Sequence, residues 1–257
     1  MFAYYFKLGV RSLRRNRYLT ALMVLTLAIG VAASVSTLAI LHAMSGDPIP
    51  SKSDRLFVPF IDNAQPEGYI PGSEHIDMQM SYKDAMNLLR AKPGDRGTAM
   101  YGTGMPIEPP RTDIPAFTGY GLAPTRDFFA MFEVPFLHGQ PWSVEDDERG
   151  ANVVVLNRAV AEKLFGDANP VGQRLRMGGE PFTVVGVLDE WNPMPRYYKL
   201  IGSGPATGED FIIPFSTAVR RELQPYGSVN CSEARDSGYA SLLSSECTWI
   251  QVWLETR

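Results

Sequence analysis

The chain has 257 residues, of which 45% are hydrophobic, 20% charged and 11% aromatic, a composition that excludes disorder of the whole and allows one or two packed domains. The formal net charge of −4 is segregated. Residues 1–18 hold Lys7, Arg11, Arg14, Arg15 and Arg17 without an acid, and the other 19 cations and 28 acids leave −9 on residues 19–257. A basic arm on an acidic body speaks against a nucleic-acid-binding body and points to a membrane surface.

In the arm, Phe2, Tyr5, Phe6, Val10 and Leu13 recur at helical spacing, while Lys7, Arg11, Arg14 and Arg15 fall on another face, the pattern of an interfacial helix with its cations at lipid headgroups. Two roles stand for these cations: a topology signal alone, or a contact surface for a cytoplasmic partner. From Leu19 to Leu41 the chain runs 23 residues without a charged residue, His, Asn, Gln or Pro. As a helix it measures about 35 Å, enough to cross a hydrocarbon core of about 30 Å. A cleavable signal peptide is the competing reading, but its apolar region runs about 7–15 residues and ends at a small-x-small site. Leu41-His42-Ala43 is not such a site, and a retained anchor is expected. The cations before the apolar run, against Asp47 and Asp54 after it, orient the N-terminus to the cytoplasm and residues 42–257 outside. Small residues at Ala28, Ala32 and Ser36 and at Gly30 and Ser34 permit close approach of another helix.

Beyond a Pro- and Ser-containing connector, Asp47–Asp54, short strands and helices alternate. Arg55–Ile61 reads as an edge strand because it contains Pro59. Ser81-Tyr82-Lys83-Asp84 is a capping box opening a helix to about Arg90. Strands are expected at Thr98–Thr103 and Ala116–Leu122, with the Pro-rich Pro106–Pro110 between them, and Thr125 is expected to cap a short helix through Phe128, Phe129 and Phe132. Asn152–Leu156 is a continuous apolar strand, Asn157 a helix cap, Val160, Leu164 and Phe165 a buried stripe, and Gly166 the stop. Gln173–Met177 and Phe182–Leu188 form a hairpin around Gly178-Gly179. Phe211–Phe215 and Thr248–Glu255 add two strands, which makes the fold class α+β. The loop from Trp191 to Asp210 has two readings, a partner contact or aromatics folded back on the domain.

Chemistry is sparse. No G-x-x-x-x-G-K-[ST] phosphate loop and no G-x-S-x-G elbow occurs, so neither nucleotide hydrolysis nor acyl transfer is expected of this chain. His42, His75 and His138 are scattered and lack zinc-ligand spacing. The run Glu145-Asp146-Asp147-Glu148 reads as a solvated turn. No catalytic residue, metal or cofactor is nominated. Cys231 and Cys247, the only cysteines, fall on the expected outer side, where a disulfide is the natural pairing and two unpaired thiols the alternative. Ser232–Glu246 between them is polar, with little apolar material of its own to anchor it.

The start FKLGVRSLRRNRYLTAL, the helix segment LAIGVAASV and above all VVVLNRAVAEKLFGDANPVGQRLRMGGEPFTVVGVL resemble the periplasmic core domain of MacB-like, FtsX-like ABC transporter permeases. Ala161–Gly166, Asn169-Pro170-Val171-Gly172 and Phe182–Val187 stand in that family's order and spacing, as do Asp127-Phe128-Phe129, Leu137-His138-Gly139 and Glu145-Asp146-Asp147. The residues themselves read as structural: Leu164 and Phe165 dock a helix, Gly166 ends it, and Pro170 with Gly172 redirects the chain.

The resemblance implies an extracytoplasmic body with a membrane-proximal porter-like subdomain (about 55–112 plus 248–257) and an inserted β-rich subdomain (about 113–215), with 216–247 unassigned. It implies a bacterial inner membrane location and a permease component of an ABC transporter, driven by a separate cytoplasmic ATPase subunit. A second permease subunit, the lipid bilayer and a periplasmic protein would be its other partners, with no nucleic acid. The family continues into three more membrane helices, so this chain reads as the N-terminal portion of such a permease. A membrane-anchored periplasmic binding or sensing module without ATP coupling is the alternative.

Overall fold

The computed structural model describes residues 2–47, 49–62, 76–191, 193, 196–199, 208–231 and 236–257. It divides into two compact units, Met1–Asp47 and Pro48–Arg257. The first holds α1 (Phe2–Arg15) and α2 (Arg17–Met44). Asn16 separates the helices with non-helical backbone angles, and the Thr20 hydroxyl donates to the carbonyls of Leu13 and Asn16 at 3.0 and 3.1 Å.

The second unit is built on one mixed sheet. Its strands are β1 (Leu56–Phe57), β4 (Arg96–Glu108), β5 (Phe117–Pro124), β6 (Phe136–Gly139), β7 (Val153–Leu156), β8 (Arg174–Met177), β9 (Glu180–Leu188), β10 (Phe211–Ile212) and β11 (Gln251–Glu255). They run in the order β1-β11-β4-β5-β10-β7-β9-β6, with β8 pairing β4 and β9, while β2 (Ile61–Asp62) and β3 (Ile76–Asp77) pair apart. The pairings β5 with β10 and β7 with β9 are parallel; the others are antiparallel.

Alternation along the strands supplies two cores. Ala99, Tyr101, Ala123, Val154, Leu156, Phe211 and Val252 share one cluster, whereas their neighbours Met100, Leu122, Val153, Val155 and Ile212 belong to the other. Successive strand residues point to opposite faces, so both faces are apolar and both need cover. The first face receives Ala85 of α3 (Tyr82–Ala91), Val160 and Leu164 of α6 (Arg158–Phe165), Ala218 of α7 (Phe215–Arg220) and Leu242 of α8 (Tyr239–Ser244). The second receives Phe128 and Phe129 of α4 (Asp127–Met131), with Phe132, Trp142 and Tyr198.

The caps at Ser81 and Asn157 form as expected, accepting from the backbone N–H groups of Asp84 and Val160. Both central residues of the Gly178-Gly179 turn have positive φ, the geometry of the tight hairpin. Other expectations need correction. The Arg55–Ile61 strand is interrupted, pairing only at Leu56–Phe57 and again at Ile61–Asp62; Pro59, lacking an N–H, lies in the gap. Strand β4 runs on through Pro106, whose carbonyl accepts from Gly178 at 2.8 Å. Thr125 does not cap α4: its hydroxyl turns to Thr98, 3.1 Å away. The acidic run is helical, α5 (Val144–Arg149), capped by Ser143. Strand β10 stops at Ile212, and Phe215 opens α7. The Trp191–Asp210 loop lies largely outside the described residues. Its described aromatics, Trp191, Tyr197 and Tyr198, pack with the second core, and Trp191 and Tyr198 stack on each other at 4.7 Å.

Two glycines with similar φ separate backbone strain from crowding. A Cβ on Gly139 (φ +69) would sit 2.1 Å from the Val185 carbonyl oxygen, whereas Gly166 (φ +68) has nothing within 4 Å. All four tryptophans lie at or beyond position 142, so their fluorescence reads the second unit. In urea titrations of the full chain in detergent, Gly139→Ala should cost about 3–5 kcal/mol through clash plus backbone strain, and Gly166→Ala about 1–3 kcal/mol through backbone strain alone.

Candidate functional site

Helix α1 carries Lys7, Arg11, Arg14 and Arg15, all solvent-exposed, with intervals of three and four residues that gather them on one side. Tyr4, Tyr5 and Phe6 are also about two-thirds exposed, at 68%, 67% and 66%. Helix α2 has 28 residues, about 42 Å long, more than the roughly 30 Å that a hydrocarbon core requires. Three of its hydroxyls bond within the helix: Thr26 donates to the Met23 carbonyl, Ser34 to Gly30 and Thr37 to Ala33, at 2.9, 3.0 and 2.9 Å. Hydroxyls bonded to the helix's own carbonyls leave a surface that is largely apolar and suited to lipid.

In the second unit two buried carboxylates organise the charge. Glu255, on β11 with a side chain 3% exposed, receives Arg96 at 3.0 Å, Lys52 at 3.3 Å and Arg55 at 3.9 Å. Burial pushes its carboxyl up, but the hydrogen bonds from Arg96 and Lys52 and their charges outweigh burial and hold it below its ordinary value. The same cluster ties residues 52–56 to the sheet: Lys52 also donates to the Ala130 carbonyl at 2.7 Å, and the Thr256 N–H donates to the Arg55 carbonyl at 2.9 Å. Glu209 is 8% exposed and accepts from Tyr198 at 2.5 Å and Lys199 at 3.4 Å, with Arg196 at 3.8 Å. Burial and the adjacent Glu209 charge push the Tyr198 phenol far up, so it serves as a fixed donor.

Neither cluster was nominated from the sequence. The available signal was position: Glu255 shares a strand face with Gln251 and Trp253, which turns its side chain to the same side of the sheet as theirs.

The acidic run binds inward, as one member shows. Asp147 accepts from the Trp142 indole at 2.8 Å and from the Arg126 backbone N–H at 3.3 Å, and burial, opposed by these bonds, leaves its carboxyl above the ordinary value. Asp146 pairs instead with Arg149. Among the described residues, no group of three His, Cys, Asp or Glu side chains is arranged to hold a metal. His42 lies on α2 and His138 on β6, and His75 falls outside the described residues.

Cys231 and Cys247 are joined, with S–S 2.06 Å and Cα atoms 4.3 Å apart. The bond lies beside a two-hydrogen-bond bridge between Asn230 and Thr248, at 3.0 and 2.8 Å. The enclosed segment has more apolar anchorage than its Ser-rich composition suggests. It contains α8, whose Tyr239 and Leu242 are 4% and 0% exposed, and the Tyr239 hydroxyl meets that of Tyr101 at 3.2 Å.

The family model described as the MacB-like periplasmic core domain matches residues 20–250. The chain belongs to that family. Among curated relatives of this MacB-like chain, the pyoverdine export ATP-binding/permease protein PvdT of Pseudomonas fluorescens is 30% identical over 209 residues, covering 79% of this chain and 29% of that protein. The macrolide export ATP-binding/permease protein MacB of Chromobacterium violaceum is 27% identical over 205 residues, covering 71% and 28%. The chain therefore spans less than a third of the length of these relatives. Among solved structures, the periplasmic region of MacB from Actinobacillus actinomycetemcomitans is 17% identical, covering 81% of this chain and 92% of that one with a TM-score of 0.48. The extracellular domain of YknZ is 16% identical, covering 79% and 82%, at 0.46.

Two measurements probe the MacB-like body. Because Glu255 is held low when folded, it contributes stability above its unfolded value of about 4.3 and loses it as pH falls through the folded value. Glu255→Gln should lower stability by about 1–3 kcal/mol at pH 7, the half-exposed arginines limiting the loss, and the gap to the parent chain should close in acid. For the cysteines, non-reducing mass spectrometry after thiol alkylation of exported protein should find neither thiol labelled. Replacing both with Ser should cost about 2–3 kcal/mol.

Proposed function

We propose that the chain is a non-catalytic permease component of an ABC export system, anchored by α2 with its N-terminus in the cytoplasm and its body in the periplasm. The observation that carries this reading is the family match over residues 20–250, which takes in most of the apolar helix together with the body. Two relatives are named as export ATP-binding/permease proteins. On this reading ATP hydrolysis belongs to a separate ATPase subunit, and a second permease subunit, lipid and a periplasmic protein complete the partner set. On this reading the body converts movement of the membrane helices into work outside the membrane.

The porter-like segment (about 55–112 plus 248–257) would take the movement first and hand it to the inserted segment (about 113–215). The coupling we favour is direct, because β4 of the former and β5 of the latter pair over eight residues, Met100↔Pro124 to Ile107↔Phe117. A continuous ladder of that length transmits displacement as a rigid body.

The arm supplies the test. Arg11→Gln with Arg14→Gln retains Lys7, Arg15 and Arg17, so topology should persist. Reporter fusions after Ala43 and after Phe215 should both read extracytoplasmic in parent and variant. Tagged full chain solubilised from its own membrane should co-purify an ATP-hydrolysing subunit bearing a phosphate loop, and the double variant should lose it. A cytoplasmic signal from either fusion overturns the orientation. Absence of any ATPase from the parent complex favours the ATP-independent binding or sensing module instead.

A further inference from the structure

A cavity of about 20 Å³ opens between Gly102 on β4, the segment Pro225–Ser228, Lys199 and Trp249. Its size is decisive. It exceeds the roughly 10–15 Å³ that one water needs and falls far short of the roughly 300–1,000 Å³ of a site that engulfs a whole ligand. Only a head group of a few atoms fits.

The walls specify the chemistry of that head group. Trp249 is 2% exposed, and among the described residues its indole N–H has no hydrogen-bond partner. The indoles of Trp142 and Trp253, by contrast, donate to Asp147 at 2.8 Å and to the Tyr198 carbonyl at 2.9 Å. A buried donor left unmatched is costly, and an indole N–H can only donate. Lys199, with a side chain 8% exposed, brings an ammonium whose contact with Glu209, 3.4 Å away, engages one of its three protons. Glycine at 102 keeps the space open: a Cβ there would lie 3.0 Å from the Tyr226 carbonyl oxygen and 3.3 Å from Lys199 Nζ. Tyr226, 42% exposed, packs against Tyr120 at 4.7 Å and forms an aromatic wall of the same cavity.

We propose that this cavity binds the carboxylate of an organic acid, one oxygen accepting from the Trp249 indole and the other from Lys199, with the remainder of the ligand outside against Tyr226. Two donors of fixed sign favour an anion beside the Gln79 and Gln251 amides that also line the cavity, and a planar two-oxygen group satisfies both donors at once where a monatomic anion would have to reach two donors from one point. Glu209 is engaged with Tyr198 through one oxygen at 2.5 Å and with Lys199 through the other at 3.4 Å. The site is independent of the transport reading and can stand or fall without it. Carboxylates of free small acids and of peptide C-termini share this chemistry.

The test uses the full chain in detergent micelles with ¹⁵N-labelled tryptophan. Titrating acetate at pH 7 and constant ionic strength should move the Trp249 indole signal to saturation while those of Trp142 and Trp253 stay in place. A Trp249 signal that does not respond means water alone occupies the cavity and overturns the proposal, as does an equal response to chloride. Lys199→Gln should weaken acetate binding at least about tenfold, and Lys199→Arg should retain it. Where Lys199→Gln disturbs the fold, as the Trp142 and Trp253 signals would report, Gly102→Ala fills the space without removing a charge and should abolish the shift; a shift that survives it overturns the assignment. A short peptide with a free C-terminus binding more tightly than acetate, with its amide inert, identifies a chain terminus as the source. Equal affinity identifies a small acid, and binding of the amide overturns the carboxylate.

Discussion

A single sheet that is apolar on both faces governs the second unit. Because neighbouring residues on a strand face opposite ways, Met100 and Tyr101, or Val154 and Val155, are committed to different cores one peptide apart. A slip of one residue in any central strand would exchange the two sets and leave neither core closed. The helices are correspondingly short, at six to ten residues for α3, α5, α6, α7 and α8, because each only has to cover part of one face. Buried residues in α3, α6, α7 and α8 and side-chain caps on α3, α5 and α6 hold them more than length does. The turns that bring them back to the sheet, such as those at Gly150 and Gly166, carry the positive-φ glycines the reversals require.

Much of this arrangement was legible in the sequence where local chemistry and tertiary context agree. The stretch from Asn152 to Leu188 holds an uninterrupted apolar strand, an Asn cap, a stripe, a glycine stop and a Gly-Gly hairpin, and each of these signals acts within a few residues of its effect. The readings that failed are those decided by distant partners. Thr125 looks like a cap but finds Thr98 across the sheet; the acidic run is the exception, since its cap Ser143 stands only three residues before Asp146 and was within local reach. Helix α8 is hidden in a Ser-rich segment because only Tyr239 and Leu242 carry its attachment.

The charge clusters were less legible still. Lys52, Arg96 and Glu255 are far apart in the chain, and nothing local to any of them signals the others. The cavity beside Trp249 is similarly invisible, since Gly102, Lys199, Tyr226 and Trp249 come from four separate segments that only the closed sheet assembles. By contrast the anchor and its basic arm are properties of contiguous composition, and the helix observed from Arg17 to Met44 simply extends the apolar run by a turn or less at either end.

The pairing of β1 with β11 has a mechanical consequence. Leu56 lies opposite Glu255, and the two strands are antiparallel, so the chain enters β1 and leaves β11 at the same end of the ladder. Tension drawn outward from that end would open the pair like a zipper, rung by rung, where rungs loaded in shear would resist together. The first rung in line is the one flanked by Lys52, Arg55 and Arg96 on a single carboxylate. The ionic cluster thus reinforces the weakest loading geometry in the body at the rung where tearing would begin.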